Sequence, residues 1–115
     1  MIEKFNVIFL EQAIDFVERI DSKARKKIYY NIDKSKFVND PKLYSKLQGE
    51  IWEFRTKYSE IQYRLLAFWD KTEKTNTVVV STHGIIKKTS KIPKSEIEKA
   101  ERIRIEYFKF KNRKR

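Results

Sequence analysis

Apolar residues change their spacing several times along this chain, and each change predicts an element. "FNVIFL" (residues 5–10) is short, unbroken and flanked by charge, which predicts a buried strand. In "EQAIDFVERI" the spacing turns helical, with Ile14, Val17 and Ile20 on one side. Asp21 and Ser22 interrupt it, and Ser22 is placed to cap a second helix. That helix, "KARKKIYYNIDKSKF", sets Ala24, Ile28, Ile32 and Phe37 on one face. The two helices, about 10 and 15 residues long, form a hairpin. "VNDP" ends it, because Asn-Asp-Pro favours a turn.

After "KLYSKLQGE" the period drops to two. "IWEFR" puts Ile51, Glu53 and Arg55 on one face and Trp52 and Phe54 on the other. "IQYRLLAFW" sets Tyr63, Leu65, Ala67 and Trp69 opposite Gln62, Arg64, Leu66 and Phe68. "NTVVVSTH" is rich in β-branched residues. "TKYSE" and "DKTEKT" are polar and of hairpin length, so the three segments form an antiparallel meander. Beyond Pro93 and Lys94, Ser95 caps a last helix with Ile97, Ala100, Ile103, Tyr107 and Phe110 on one side. The predicted order is β-α-α-β-β-β-α. This is an α+β fold, with an N-terminal helical hairpin on a small, mainly antiparallel sheet and a C-terminal helix. The helices are expected on one face of the sheet. Residues 1–115 read as one domain.

Composition narrows the function. No cysteine is present, so disulfide scaffolds and thiolate chemistry are excluded. One histidine and no acidic cluster at ligand spacing argue against a metal site, and no cofactor is expected. No signal peptide or membrane-length apolar run occurs, so a cytoplasmic protein without membrane contact is expected. The formal net charge is +11, and residues 81–115 carry 12 Lys/Arg against 4 Glu. Charge concentrated in this way suits a polyanionic partner, with nucleic acid foremost; a merely solvated surface is the alternative.

Candidate chemistry gathers where the strands end. Arg55 and Arg64 fall on neighbouring strands, opposite the aromatic positions, and can become neighbours on one face. Two guanidiniums together grip a phosphate; singly, each would pair with Glu53 or Glu60. Lys87 and Lys88 follow the third predicted strand and join the arginines if that strand lies beside the second. Such cations stabilise charge that builds on phosphate oxygens during phosphodiester cleavage. His83 is the one side chain that ordinarily titrates near neutrality, although a lone histidine at a strand end is more often structural. Lys46, Tyr63, Lys91 and Lys94 are candidate RNA contacts, with Tyr58 and Tyr63 able to stack on bases if partly exposed. Trp52 and Trp69 read as core. The basic tail "KFKNRKR" would add phosphate contacts without sequence preference, or fray.

The stretch "KLQGEIWEFRTKYSEIQYRLLAFWDKTEKTNTVVVSTHGIIKKTSKIPKSEIEKAERIRIEYF" resembles the RelE/HigB-like toxins of bacterial toxin–antitoxin modules, in particular the phage-derived HigB-like branch. The resemblance is carried by "KLQGEIWEFR", "YRL" and "HGIIKKTSKIP", completed by Glu96, Ile97 and Ala100. It implies a RelE-like fold and a toxin that cleaves mRNA on the ribosome without metal, its partner a HigA-like helix-turn-helix antitoxin. Under it, Arg55 and Arg64 hold the scissile phosphate, and Lys87 and Lys88 stabilise charge or assist proton transfer. The chain departs from RelE in having Glu53 where RelE has a lysine, and RelE's tyrosine after the last strand has no assignable counterpart here. A non-catalytic RNA- or DNA-binding module is the alternative. An antitoxin-like or phage regulatory protein ranks lower, because no helix-turn-helix pattern is visible.

Overall fold

The computed structural model describes residues 2–113. Its elements run β1 (Asn6–Phe9), α1 (Glu11–Arg19), α2 (Ser22–Ser35), β2 (Tyr44–Gln48), β3 (Ile51–Tyr58), β4 (Ile61–Asp70), β5 (Val78–Lys87) and α3 (Lys94–Arg113). The strands form one sheet in the order β1-β5-β4-β3-β2. β1 runs parallel to β5, and every other pairing is antiparallel. The fold is α+β, with the expected helical hairpin and C-terminal helix.

One element escapes the sequence pattern. β2 carries its apolar residues, Tyr44 and Leu47, three apart, which is not a strand period. An odd offset sets the two on opposite faces, and a bulge follows. Lys46 pairs with Trp52 and Gln48 with Ile51, so Leu47 is an extra residue. Tyr44 packs under the helical hairpin and Leu47 turns to the opposite face. The β3–β4 connection is tighter than expected: strand continues through Thr56, Lys57 and Tyr58, and Ser59 and Glu60 alone make the turn. Both have positive φ, 50° and 66°, as a two-residue turn matched to strand twist requires.

The helices cover both faces of the sheet rather than one. Alternation along β4 dictates this. Tyr63, Leu65 and Ala67 join Ala13, Phe16, Val17, Ala24, Ile28 and Ile32 under the hairpin. Leu66 and Phe68 point the other way and are sealed with Val80 by Ala100, Ile97, Tyr107 and Phe108 of α3. A sheet that is apolar on both faces needs a cover on each. Trp52 and Trp69 pack against the hairpin-side core, as expected.

Several local expectations shift. The α1 core face is Ala13, Phe16 and Val17, while Ile14 stays 42% exposed. Phe37 lies beyond α2 and is exposed, and its place on the buried face goes to Ser35. The α2 cap is Asp21 rather than Ser22, its Oδ2 accepting from the Lys23 and Ala24 amides. α3 starts at Lys94, so Ser95 lies inside its first turn, and Phe110 is exposed. β1 is an edge strand whose residues are half-exposed or exposed; the buried ring of that segment is Phe5. The basic tail is helical as far as Arg113, and its last two residues lie outside the described range.

α1 and β5 meet closely at Gly84, where a Cβ would overlap Phe16 ring carbons. Gly84→Ala is therefore expected to destabilise the protein by about 1–3 kcal/mol through overpacking. Chemical denaturation against the parent checks this.

Candidate active site

α3 covers the sheet only as far as Leu66; beyond that point the same face of β4 carries Arg64 and Gln62. Arg55 of β3 lies directly across from Arg64, so the two guanidinium stems stand side by side. Lys87 of β5 lies across from Gln62 on the other flank. Arg55, Arg64 and Lys87 line an open cleft of about 770 Å³, joined by Lys91 and Lys94 from the segment that leads into α3.

Lys87 reaches this face because β5 is also bulged. Val80 pairs with Phe68 and faces α3, and strict alternation from there would turn residue 87 toward the hairpin. The register slips opposite Leu66 and Ala67: Ser81 pairs with Ala67 and His83 with Leu66, leaving Thr82 extra. Beyond the slip, His83, Ile85 and Lys87 share the face of Arg64. Bulges commonly re-aim side chains beside functional sites.

Arg64 is 3% exposed, with Nε 2.9 Å from Glu53 Oε1. Neither atom completes a hydrogen bond, so the contact is an ion pair with the N–H pointing off axis. Nη2 donates to Gln62 Oε1 at 2.9 Å. Burial pulls the Arg64 pKa below its usual value, Glu53 opposes that shift, and Arg55 adds to it. The guanidinium is thus a desolvated cation, held by one carboxylate and crowded by a second cation. It would gain from an additional anion. Arg55 is half-buried, its Nη1 reaching the Pro41 carbonyl at 3.4 Å.

A family model described as "Phage derived protein Gp49-like (DUF891)" matches residues 15–104, which include every residue of this cleft. The chain belongs to the Gp49-like family. It is a toxin-like family related to the RelE/HigB-like proteins, in line with the resemblance carried by the motifs. No curated protein matches the chain.

In this Gp49-like chain the cleft gathers Arg55, Arg64, Lys87, Lys91 and Lys94. Four other candidates lie elsewhere. His83 is 3% exposed, wedged between sheet and α3: Nδ1 is 2.8 Å from Thr82 Oγ1 and Nε2 is 2.9 Å from Glu96 Oε1. Burial lowers its pKa, Glu96 resists, and Lys99 adds to the lowering, so the ring is neutral and ties β5 to α3. Tyr63 is 4% exposed in the hairpin-side core, edge-on to Phe16, and offers no face to a base. Lys46 is exposed but pairs with Trp52, on the face away from the cleft. Lys88 is exposed just past β5, and the lining passes from Lys87 to Thr89 without it. Alternation along β4 already set Tyr63 with Leu65 and Ala67, whereas the β5 bulge hid the faces taken by His83 and Lys87. Glu53 is the cleft residue whose importance the sequence understates. The position of its carboxylate follows from the shared face of Ile51, Glu53 and Arg55.

Among the described residues no group of three or more His, Cys, Asp or Glu could hold a metal, and no helix is long and apolar enough to cross a membrane. His83→Gln is expected to lower stability by about 1–3 kcal/mol, the cost of leaving a buried polar group without its partner, while leaving activity unchanged. Melts and activity assays on one preparation check both halves. The fold refuses the proton that the unfolded chain accepts. The parent should therefore lose stability as pH falls below about 6.5, and the variant should not show that step.

Proposed function

We propose that this protein is the toxin of a toxin–antitoxin pair and cleaves ribosome-bound mRNA without a metal cofactor. The observation that carries the reading is the cross-strand pair of Arg55 and Arg64, joined by Lys87 in one open cleft. Two forked cations side by side suit a phosphodiester, whose non-bridging oxygens accept parallel hydrogen bonds. In the reaction proposed, the substrate's 2′-hydroxyl gives up its proton and attacks the adjacent phosphorus. The bond to the 5′-oxygen breaks, and that oxygen takes up a proton. Arg55 and Arg64 would stabilise the charge that builds on the phosphoryl oxygens, and Lys87 would assist at the departing oxygen. Among the described residues Glu53 is the only carboxylate lining the cleft, which supports a role for it in accepting the hydroxyl proton. An antitoxin would silence the protein by laying an acidic segment over these cations. Helix-turn-helix character of the HigA type is expected in that partner.

One observation favours the non-catalytic alternative: the histidine that would ordinarily shuttle protons lies behind α3, outside the cleft. Two experiments separate the readings. Expressed alone, the protein should arrest translation and growth in a bacterial host, and a co-expressed antitoxin should relieve the arrest. Purified protein should cut mRNA on programmed ribosomes with chelator present. Normal growth at confirmed soluble expression, or ribosomes left with intact mRNA, would favour the binding module.

A further inference from the structure

The basic surface does not end at the cleft. β2 pairs with β3 only from Ile51 to Phe54. One more backbone bond, Arg55 N–H to the Leu43 carbonyl at 2.8 Å, closes the pairing. Past it, among the described residues, the outer edge of Thr56, Lys57 and Tyr58 has no strand beside it. α2 lies across that edge. Lys27 Nζ donates to the Lys57 carbonyl at 2.6 Å, and Asn31 Nδ2 donates to Thr56 Oγ1 at 3.1 Å. Lys27 and Asn31 are one turn apart on the same face of α2, so the helix presents both to the strand edge. The result is a second cavity, of about 470 Å³, which shares Arg55 and Arg64 with the cleft and adds Lys27, Lys42 and Lys57.

We propose that this second cavity is a subsite for a neighbouring phosphate of the same RNA strand, so that Arg55 and Arg64 stand between two successive phosphates. The proposal rests on the RNA-cleaving reading of the cleft. Three features support a nucleic-acid backbone over an acidic peptide. Among the described residues no carboxylate lines the cavity, and Glu60 reaches Lys57 only at 3.8 Å from an exposed position. Leu43 is the one large apolar group in the lining, whereas a docked peptide is usually anchored by buried apolar side chains. The remaining lining groups, Asn31, Thr56 and Gln62, offer the hydroxyl and amide partners that sugar hydroxyls and phosphate oxygens take. No aromatic ring of the described residues lines the cavity, so it adds affinity without reading bases. The subsite also gives α2 a part in binding RNA, although its sequence reads as a packing helix.

The test is binding of 2′-deoxy oligouridylates of increasing length, which cannot be cleaved, followed by fluorescence anisotropy across a salt series. Lys27→Ala/Lys42→Ala is compared with the parent and with Lys23→Ala/Lys34→Ala, a charge-matched pair elsewhere on α2. The subsite variant should lose the affinity that lengthening the strand on one side confers, and its slope of log K against log salt should fall by about 0.7 for each phosphate no longer neutralised. On programmed ribosomes its KM should rise with kcat retained. Lys27→Gln, which keeps a donor for the Lys57 carbonyl, replaces the alanine change if that variant melts early. Equal losses in the control pair, or an unchanged slope, would overturn the subsite. So would loss of antitoxin affinity with RNA binding intact, because the cavity would then belong to a peptide. A parent that shows the length and salt dependence yet leaves ribosomal mRNA uncut would sink the nuclease reading and leave the subsite standing.

Discussion

If the cleft cleaves RNA as proposed, Arg64→Ala is expected to cut the rate by about 10²–10³ and to destabilise the fold at the same time. From the sequence, Arg64 is a cleft residue whose loss costs rate more than stability. The structure buries it against Glu53, so its removal strands a carboxylate that is 7% exposed. Breaking one half of a buried ion pair costs about 3–5 kcal/mol. Losing a preorganised charge donor costs about 10²–10³ in rate. An inactive Arg64→Ala variant is therefore ambiguous without a melt. Arg55→Ala resolves the ambiguity: Arg55 is half-buried and lines the same cleft, so under the proposed reaction its loss should cut the rate by a similar factor with little change in melting temperature. Glu53→Gln/Arg64→Gln removes both charges at once and should recover most of the stability while remaining inactive. If that double variant cleaves like the parent, the arginine pair does not hold the scissile phosphate.

Asp70→Asn should loosen α3 and take acid sensitivity away with it. Asp70 ends β4 with its side chain 2% exposed, covered by the helix rather than sunk in the sheet. Tyr107 Oη and Lys111 Nζ both donate to Oδ2 at 2.6 Å, and the Thr72 amide and hydroxyl donate to Oδ1. Burial alone would raise the carboxyl pKa. Lys111, Tyr107 and Thr72 more than reverse that and hold it well below the ordinary range. A depressed carboxylate pKa stabilises the fold fully above its unfolded value, about 4, and the contribution drains away as pH falls below that. The Asn variant should be weaker by about 1.5–3 kcal/mol at neutral pH, the worth of hydrogen bonds to a charged group. Its melting temperature should then fall less steeply than the parent's between neutrality and strong acid. Parallel slopes would show that Asp70 does not set the acid limit. For the same reason Lys111, read from the sequence as part of a tail that contacts phosphates or frays, ties α3 to β4.

β4 was readable as a strand although its apolar run Leu65 to Trp69 blurs the alternation, and the structure sets Leu66 and Phe68 to one side and Leu65 and Ala67 to the other. The pairing of Arg55 with Arg64 was readable as well, since a hairpin brings equal offsets from its turn together. β2 stayed hidden because its two apolar residues, Tyr44 and Leu47, face opposite sides and leave no apolar stripe, and Thr82 stops alternation from revealing which face Lys87 takes. His83 and Tyr63 carry the side chains that RNA chemistry would want, and only packing shows that one straps α3 down and the other fills the core. The part of α2 in the second cavity was hidden too, because Lys27 and Asn31 look like an ordinary solvated face until β3 is left short of a neighbour.

The parallel pairing of β1 with β5 has a consequence for synthesis. Asn6 emerges from the ribosome early, yet its partner Val78 comes only after both helices and three further strands have been made. Until then "FNVIFL" waits with its backbone unpaired, while the β3–β4 hairpin that carries both arginines can close locally. Long-range closure of this kind slows folding and prolongs exposure of a sticky edge. Pairing at the β1 margin therefore cannot precede synthesis of β5, whereas the hairpin that carries the arginine pair can close before it. A nascent chain cut short before β5 would display the arginines without Lys87 and without a finished scaffold beneath them.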